Sequence, residues 1–342
     1  MKILQISTGW DSTPPRVYDP PAQVVSGLTE ELVRLGHEVT LFATGDSLTN
    51  ATLAYKFVEA PKSINLENEI VHVNAAVAFA ASHNFDVVHN HDVGYGVIGC
   101  TTLHTPCVTR MCWLGDQHLE NFIRTNYPRP NDGPKFTAVS NALRKAVPYL
   151  NWVDTVYNGL DIETFPYQEE KESFMLFLGR IQPEKGPDTA IKVAHATGVP
   201  LVIAGPLWPQ WQSYFDAKIR PHIDGRNVQW LGAADQRLKR ELFAKAMAFL
   251  MPISYEEAFG LVMVEAMACG TPVIAFRRGA APEIVLDHIT GFVVDTVEEM
   301  IEAIGRVASI DPRECRTRAE AHFSVQTMAE AYLRVYSRIT QS

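Results

Sequence analysis

The chain has 342 residues, 46% hydrophobic and 20% charged, a globular composition too long for one ordinary core. Its net charge of −9 argues against a nucleic-acid partner, which would want a basic stripe, and weakens docking on an anionic membrane. The five cysteines form no CxxC pair, no apolar run is long enough for a membrane span, and MKILQISTGWD reads as a strand, so a reduced, cytoplasmic protein is expected.

The first half opens with strand KILQIS, then helix QVVSGLTEELVRLG with apolar residues at helical spacing and Gly36 as its stop. Strand HEVTLFAT completes a βαβ unit, which predicts a parallel sheet. FDVVHNHD, CVTRMC and KFTAVS read as further strands, a helix starts at Asn141, and VDTVYNGLD closes this half. TFPYQEEKES has proline, charges and no periodicity, and is read as a linker. The alternation then restarts: strand FMLFLG, helix GPDTAIKVAHATG, strands PLVIAG and VQWLG, helix DQRLKRELFAKA, strand AFLMP, helix LVMVEAMACG and strand PVIAF. Continuous apolar strands between helices predict an α/β chain of two doubly wound Rossmann-like domains, with ligands beyond the strand C-terminal ends. The last helix, VQTMAEAYLRVYSRI, is amphipathic and long enough to return to the first domain. Expected boundaries are 1–162 plus 324–342 for the first domain and 172–322 for the second.

Two stretches carry chemistry. In SYEEAFGLVMVEAMACG, Gly260 opens a helix whose free N–H groups and positive dipole end suit an anion, and glycine admits a ligand close to the backbone. Glu257 stands before that helix and Glu265 inside it. Carboxylates accept hydrogen bonds from hydroxyls, so the pair fits a phosphate flanked by polyols, the form of a nucleotide sugar. The alternative leaves Glu257 serving the helix dipole and Glu265 in solvent. In FLGRIQPEKG, Arg180 and Lys185 stand at the C-terminal edge of the sheet and could neutralise a diphosphate. The alternative there is a solvated turn.

EEAFGLVMVEAMACGTPVIA resembles the E-x7-E signature of glycosyltransferase family 4, a retaining family of GT-B fold, and GRIQPEKG resembles its Arg/Lys diphosphate motif. AVSNALR, VYNGLDIETF, PEIVLDHITGFVV and EELVRLGHEVTLFATGDS are similar to further segments of that family, over almost the whole chain. The resemblance implies two domains facing across a cleft. It assigns Arg180, Lys185 and Glu257 as catalytic residues, with Glu265 on the donor ribose and Glu257 on the donor sugar. Phe259, Gly260, Leu261 and Val262 would wrap sugar and phosphate, and Leu231 would lie near the base. It implies a nucleoside diphosphate sugar as co-substrate, UDP favoured and GDP next, with no other cofactor. No DxD-type pair stands near these motifs, so no metal is expected.

The first domain departs from the family. Where a Tyr-Gly-Gly-x-Glu turn is usual, VYDPPAQVV places Asp19, Pro20 and Ala22, and Pro15, Pro20 and Pro21 suggest a stiff loop. Cys112 stands where the family carries the histidine of Thr-x-His, though His104 in TLHTP is an alternative. HNHD sets His89 and His91 on one strand face; with no third ligand evident, His91 and Asp92 are read as acceptor-side residues at the strand end, with Pro20 and Cys112. Trp208 and Trp211 are expected to pack the helix that follows them, or else to form an exposed platform. Acidic residues exceed basic ones up to Gly159, which favours a soluble small-molecule or oligosaccharide acceptor over a phospholipid. The short chain resembles antibiotic-tailoring members, such as those of avilamycin-type oligosaccharides. A non-catalytic nucleotide-sugar-binding homologue is the alternative; a sugar-nucleotide epimerase would lack the E-x7-E pattern.

Overall fold

The structure, a computed structural model, describes residues 1–16, 19–61, 65–113, 117–127, 129 and 132–341. The chain divides into two compact units, residues 1–160 with 324–342 and residues 161–323.

The first unit runs β1 (Lys2–Ile6), α1 (Pro20–Arg34), β2 (Glu38–Ala43), β3 (Thr52–Tyr55), α2 (Leu66–Ser82), β4 (Val87–Asn90), α3 (Tyr95–Cys100), β5 (Cys107–Met111), α4 (Gln117–Asn126), β6 (Lys135–Ala138), α5 (Asn141–Ala146) and β7 (Asn151–Thr155). Among the described residues its sheet has seven strands in the order β3-β2-β1-β4-β5-β6-β7. The pairings are parallel, with Ile3 opposite both Val39 and Val87 at the centre. The order reverses between β1 and β4, which makes the C-terminal ends of those strands the crevice where such sheets take ligands. Ile3, Leu4, Val39, Leu41, Val87 and Val88 are buried, as strands covered on both faces require.

Pro20 and Pro21 do not form a stiff loop. They are the first residues of α1, with Asp19 in extended conformation at its N-cap. Proline fits there because its fixed φ suits a helix and the first turn needs no N–H donor. Helices α2, α3 and α4 and strand β3 complete the unit beyond the elements read from the sequence.

The second unit runs β8 (Glu172–Leu178), α6 (Pro187–Thr197), β9 (Leu201–Ala204), the short α7 (Gln212–Tyr214), β10 (Val228–Trp230), α8 (Gln236–Lys245), β11 (Ala246–Met251), α9 (Leu261–Ala268), β12 (Val273–Phe276), α10 (Ala281–Ile284), β13 (Gly291–Val294), α11 (Val297–Arg306) and α12 (Pro312–Phe323). Among the described residues its sheet has six strands ordered β10-β9-β8-β11-β12-β13, again parallel, with the reversal between β8 and β11. The segment read as a linker is built into this unit. Phe165 is buried, the Arg240 guanidinium lies 5.1 Å from its ring centroid, and Arg316 Nη1 donates to the carbonyls of Phe165 and Ala268 at 2.9 Å.

The last helix, α13 (Val325–Thr340), belongs to the first unit. Its buried residues Met328, Ala329, Tyr332, Val335, Tyr336 and Ile339 recur at helical spacing, and the Ser324 side chain caps it by accepting from the Thr327 N–H. A buried polar network ties it to the sheet. Tyr336 Oη lies 2.7 Å from His89 Nδ1 and accepts from Gln5 Nε2 at 3.1 Å. His91 Nε2 lies 2.6 Å from Gln5 Oε1, Arg110 Nε donates to His91 Nδ1 at 3.2 Å, and Arg110 Nη1 donates to Asn158 Oδ1 at 2.8 Å. Accepting from Arg110 requires His91 Nδ1 to be bare, so His91 is neutral with its proton on Nε2.

Burial, reinforced by the Arg110 charge, holds His89 and His91 well below the usual histidine range, and burial also lowers His72. Such groups stay neutral in the folded chain while the unfolded chain takes up protons below pH about 6.5. Each therefore contributes stability that is present above pH about 6.5 and lost as the pH falls. Asp92 acts oppositely. Burial lifts it to about 6, so the folded state takes its proton first and recovers part of the loss below that pH. Urea denaturation should show stability falling from pH 6.5 to 6 by up to about 1.4 kcal/mol per pH unit for each of these histidines. His89→Gln should flatten that slope by one such increment.

Candidate functional site

The site in the second unit is built where β8 and β11 end. After β8, Arg180 is exposed and the chain closes a 3-10 turn at Pro183–Lys185. That turn docks on the loop after β11: Ser254 N–H donates to Glu184 O at 2.9 Å. Gly186 follows in left-handed conformation, φ 76°, where a Cβ would stand 2.2 Å from Pro252 O. Only glycine meets both conditions, so this position sets how closely the two loops approach.

The contact places Lys185 beside Glu257. Lys185 Nζ lies 3.4 Å from Glu257 Oε2 and hydrogen-bonds to Tyr255 Oη, which in turn donates to Glu257 Oε2 at 2.5 Å. Lys185 therefore faces a carboxylate rather than forming a solvated turn. The Glu257 backbone is held as well, its carbonyl accepting from Ala280 N–H at 2.8 Å. Burial, then the Glu257 charge, pushes the Tyr255 phenol well up, so it keeps its proton and donates it.

Helix α9 begins directly after this loop, with Gly260 at its N-cap and φ 85°. A Cβ on Gly260 would stand 2.6 Å from Met263 Cε. Phe259 and Leu261 are buried, and the first-turn N–H groups of Leu261 and Val262 have no acceptor within the helix. Arg180 lies 4.7 Å over the ring of Trp208, which is 41% exposed. Trp208 thus meets a guanidinium, because a flat cation and an exposed indole face attract. Leu231, after β10, is also exposed, at 43%. Arg180, Lys185, Glu257, Phe259, Gly260, Leu261 and Val262 thus share the loops of one sheet edge.

Glu265 is not solvated. Its side chain is fully buried and Oε1 accepts from Lys239 Nζ at 2.6 Å, with the lysine 4% exposed. The other oxygen, Oε2, is buried without a hydrogen-bond partner. Lys239 was not singled out from the sequence. Its signal was faint: a lysine on the fourth position of α8, whose neighbours Leu242 and Phe243 turn inward.

The acceptor-side candidates lie in the first unit. Pro20 is in α1, His91 and Asp92 follow β4 at 3% and 1% exposure, and half-buried Cys112 follows β5. Asp92 Oδ1 accepts from the N–H groups of Gly94 and Gly96 at 3.0 and 2.9 Å, while Oδ2 has no partner. His91 is engaged at both ring nitrogens. Arg110 also went unnoticed in the sequence; it is 1% exposed and its Nη2 is unpartnered. Among the described residues no group of three or more His, Cys, Asp or Glu is placed to hold a metal ion, and no helix is long and apolar enough to cross a membrane.

The fold and this sheet edge define an α/β protein with cations, a carboxylate and a helix start gathered at the strand C-terminal ends of its second unit. The family description "Glycosyl transferases group 1" matches residues 161–322, and "Glycosyltransferase Family 4" matches residues 22–164. AviGT4, a glycosyltransferase involved in avilamycin A biosynthesis, superposes with TM-score 0.73 at 26% identity, over 100% of this chain and 98% of its own. Sucrose-phosphate synthase from Thermosynechococcus elongatus shares the fold, with TM-score 0.81 at 19% identity over 100% and 99% of the two chains. The D-inositol 3-phosphate glycosyltransferase of Mycobacterium bovis is 31% identical over 214 residues, 54% of this chain and 44% of the relative, so the match spans less than half of that relative. The chain belongs to the family 4 glycosyltransferases of GT-B fold.

The Lys239–Glu265 pair supports a stability test. Removing one partner of a buried ion pair leaves the other charge uncompensated, so Lys239→Ala should lower unfolding free energy by about 3–5 kcal/mol in urea. The double change Lys239→Met with Glu265→Gln should cost clearly less than the two single changes summed.

Proposed function

We propose that the protein is a retaining glycosyltransferase that moves a sugar from a nucleoside diphosphate donor to a hydroxyl of a soluble small-molecule or oligosaccharide acceptor. The observation that carries this reading is the convergence of Lys185, Glu257 and the start of α9 on one sheet edge. An anomeric carbon breaking from phosphate leaves a diphosphate whose charge grows in the transition state. Arg180, Lys185 and the N–H groups of Leu261 and Val262 would stabilise that charge in a preorganised site. Glu257 would accept from a sugar hydroxyl, and Glu265 Oε2 from the ribose. The acceptor oxygen would bond to the same face of the anomeric carbon and pass its proton to a departing phosphate oxygen, giving retention without a metal. The 26% identity to a glycosyltransferase of avilamycin A biosynthesis supports a natural-product acceptor, and the antibiotic-tailoring setting is part of the proposal.

Calorimetric titration with UDP, GDP and ADP tests the donor site, uridine being the first base to try. One nucleotide should bind selectively, and Arg180→Ala should weaken it at least tenfold. With donor and acceptor supplied, Glu257→Gln and Arg180→Ala should each lower kcat/KM about 10²–10³-fold. Unchanged turnover in both variants would remove the proposal. Binding with neither transfer nor donor hydrolysis would favour the non-catalytic homologue, a reading that the replaced glycine turn around Asp19 motivates.

A further inference from the structure

We propose that Tyr255 is a specificity-determining positioning residue, which dictates the carboxylate oxygen of Glu257 available to the donor sugar. The inference rests on the donor-site reading above. Tyr255 lies two residues before Glu257, on a loop pinned at both ends by the Ser254–Glu184 and Glu257–Ala280 backbone bonds. Its phenol carries a single proton. An ammonium only donates, so Tyr255 must accept from Lys185 and spend its proton on Glu257 Oε2. The direction of the chain Lys185 to Tyr255 to Glu257 is therefore set by chemistry. Oε2 receives the phenol and faces the ammonium, whereas Oε1 has no hydrogen-bond partner among the described residues. A sugar hydroxyl approaching Glu257 meets Oε1.

Lys185 Nζ stands 4.8 Å from the ring centroid, beyond the hydroxyl that it bonds, so the lysine meets the phenol oxygen and not the ring face. A diphosphate can draw Lys185 away without breaking the Tyr255–Glu257 bond, because that bond runs within the loop. The carboxylate thus keeps its orientation as the diphosphate and its sugar arrive. The ligand class recognised at Oε1 is a donor sugar carrying a hydroxyl there, against one deoxygenated at that carbon.

Tyr255→Phe removes the hydroxyl and keeps the ring. The probes are UDP with UDP-glucose and GDP with GDP-mannose, taking the pair that the wild-type protein binds. The variant should bind the bare nucleoside diphosphate within about twofold of wild type and the sugar nucleotide about tenfold or more weakly, the scale of a lost hydrogen bond to a charged group. In a Glu257→Gln background the same change should have little further effect on sugar-nucleotide affinity, since Tyr255 acts through that carboxylate. Equal affinities in variant and wild type overturn the proposal. So does an equal loss for both ligands, or a loss that persists undiminished beside Glu257→Gln, because each points to a structural role. A wild-type protein that binds no nucleoside diphosphate overturns the donor-site reading itself, and this inference with it.

Discussion

The approach of the Pro183–Gly186 turn to the loop after β11 makes a single site out of two motifs. Lys185 and Tyr255 lie 70 residues apart in the chain and touch because Gly186 has no side chain to hold Pro252 away. Parallel strands bring this about without a special device. Neighbouring β8 and β11 end on the same side, so their following loops must meet there. The helix after the second loop then presents its unbonded N–H groups to the same space. Positive charge, free donors and a carboxylate thus gather through ordinary doubly wound topology, with Gly186 where the two loops meet and Gly260 at the start of α9.

The two acidic residues of the E-x7-E pattern live under different physics. Glu257 is held at the rim by a phenol and an ammonium that a ligand can partly displace. Glu265 is wholly buried, and burying a carboxylate is costly unless a cation compensates it. Lys239 supplies that cation and takes one oxygen, leaving the other as a buried acceptor. The first unit handles burial in another way. His89 and His91 are kept neutral beneath α13, so the only permanent charge in that cluster belongs to Arg110. The price of this arrangement is sensitivity to acid.

Much of the fold was legible because buried parallel strands are continuous apolar runs. AFLMP and PVIAF read as strands with or without their partners. Helix α2 was missed although Asn65 caps it and Glu67 and Glu69 occupy its first turn, because its alanine-rich body lacks a sharp apolar stripe. Pro20 and Pro21 misled in the other direction, since proline at a helix start and proline in a loop look the same in sequence. The candidate donor-site residues were legible as motifs, whereas Tyr255, Lys239 and Arg110 were not: each matters through a partner far along the chain.

The sequence by itself determined two doubly wound units, the family, and which loops carry cations and carboxylates, because those properties reside in local periodicity and in short motifs. Tertiary structure alone decided that Lys185 meets Glu257 through Tyr255, that Glu265 is paired and buried, and that His91 is spent on a network under the last helix. Such pairings depend on strand order and on distances of closest approach, and neither is written in the neighbourhood of any one residue.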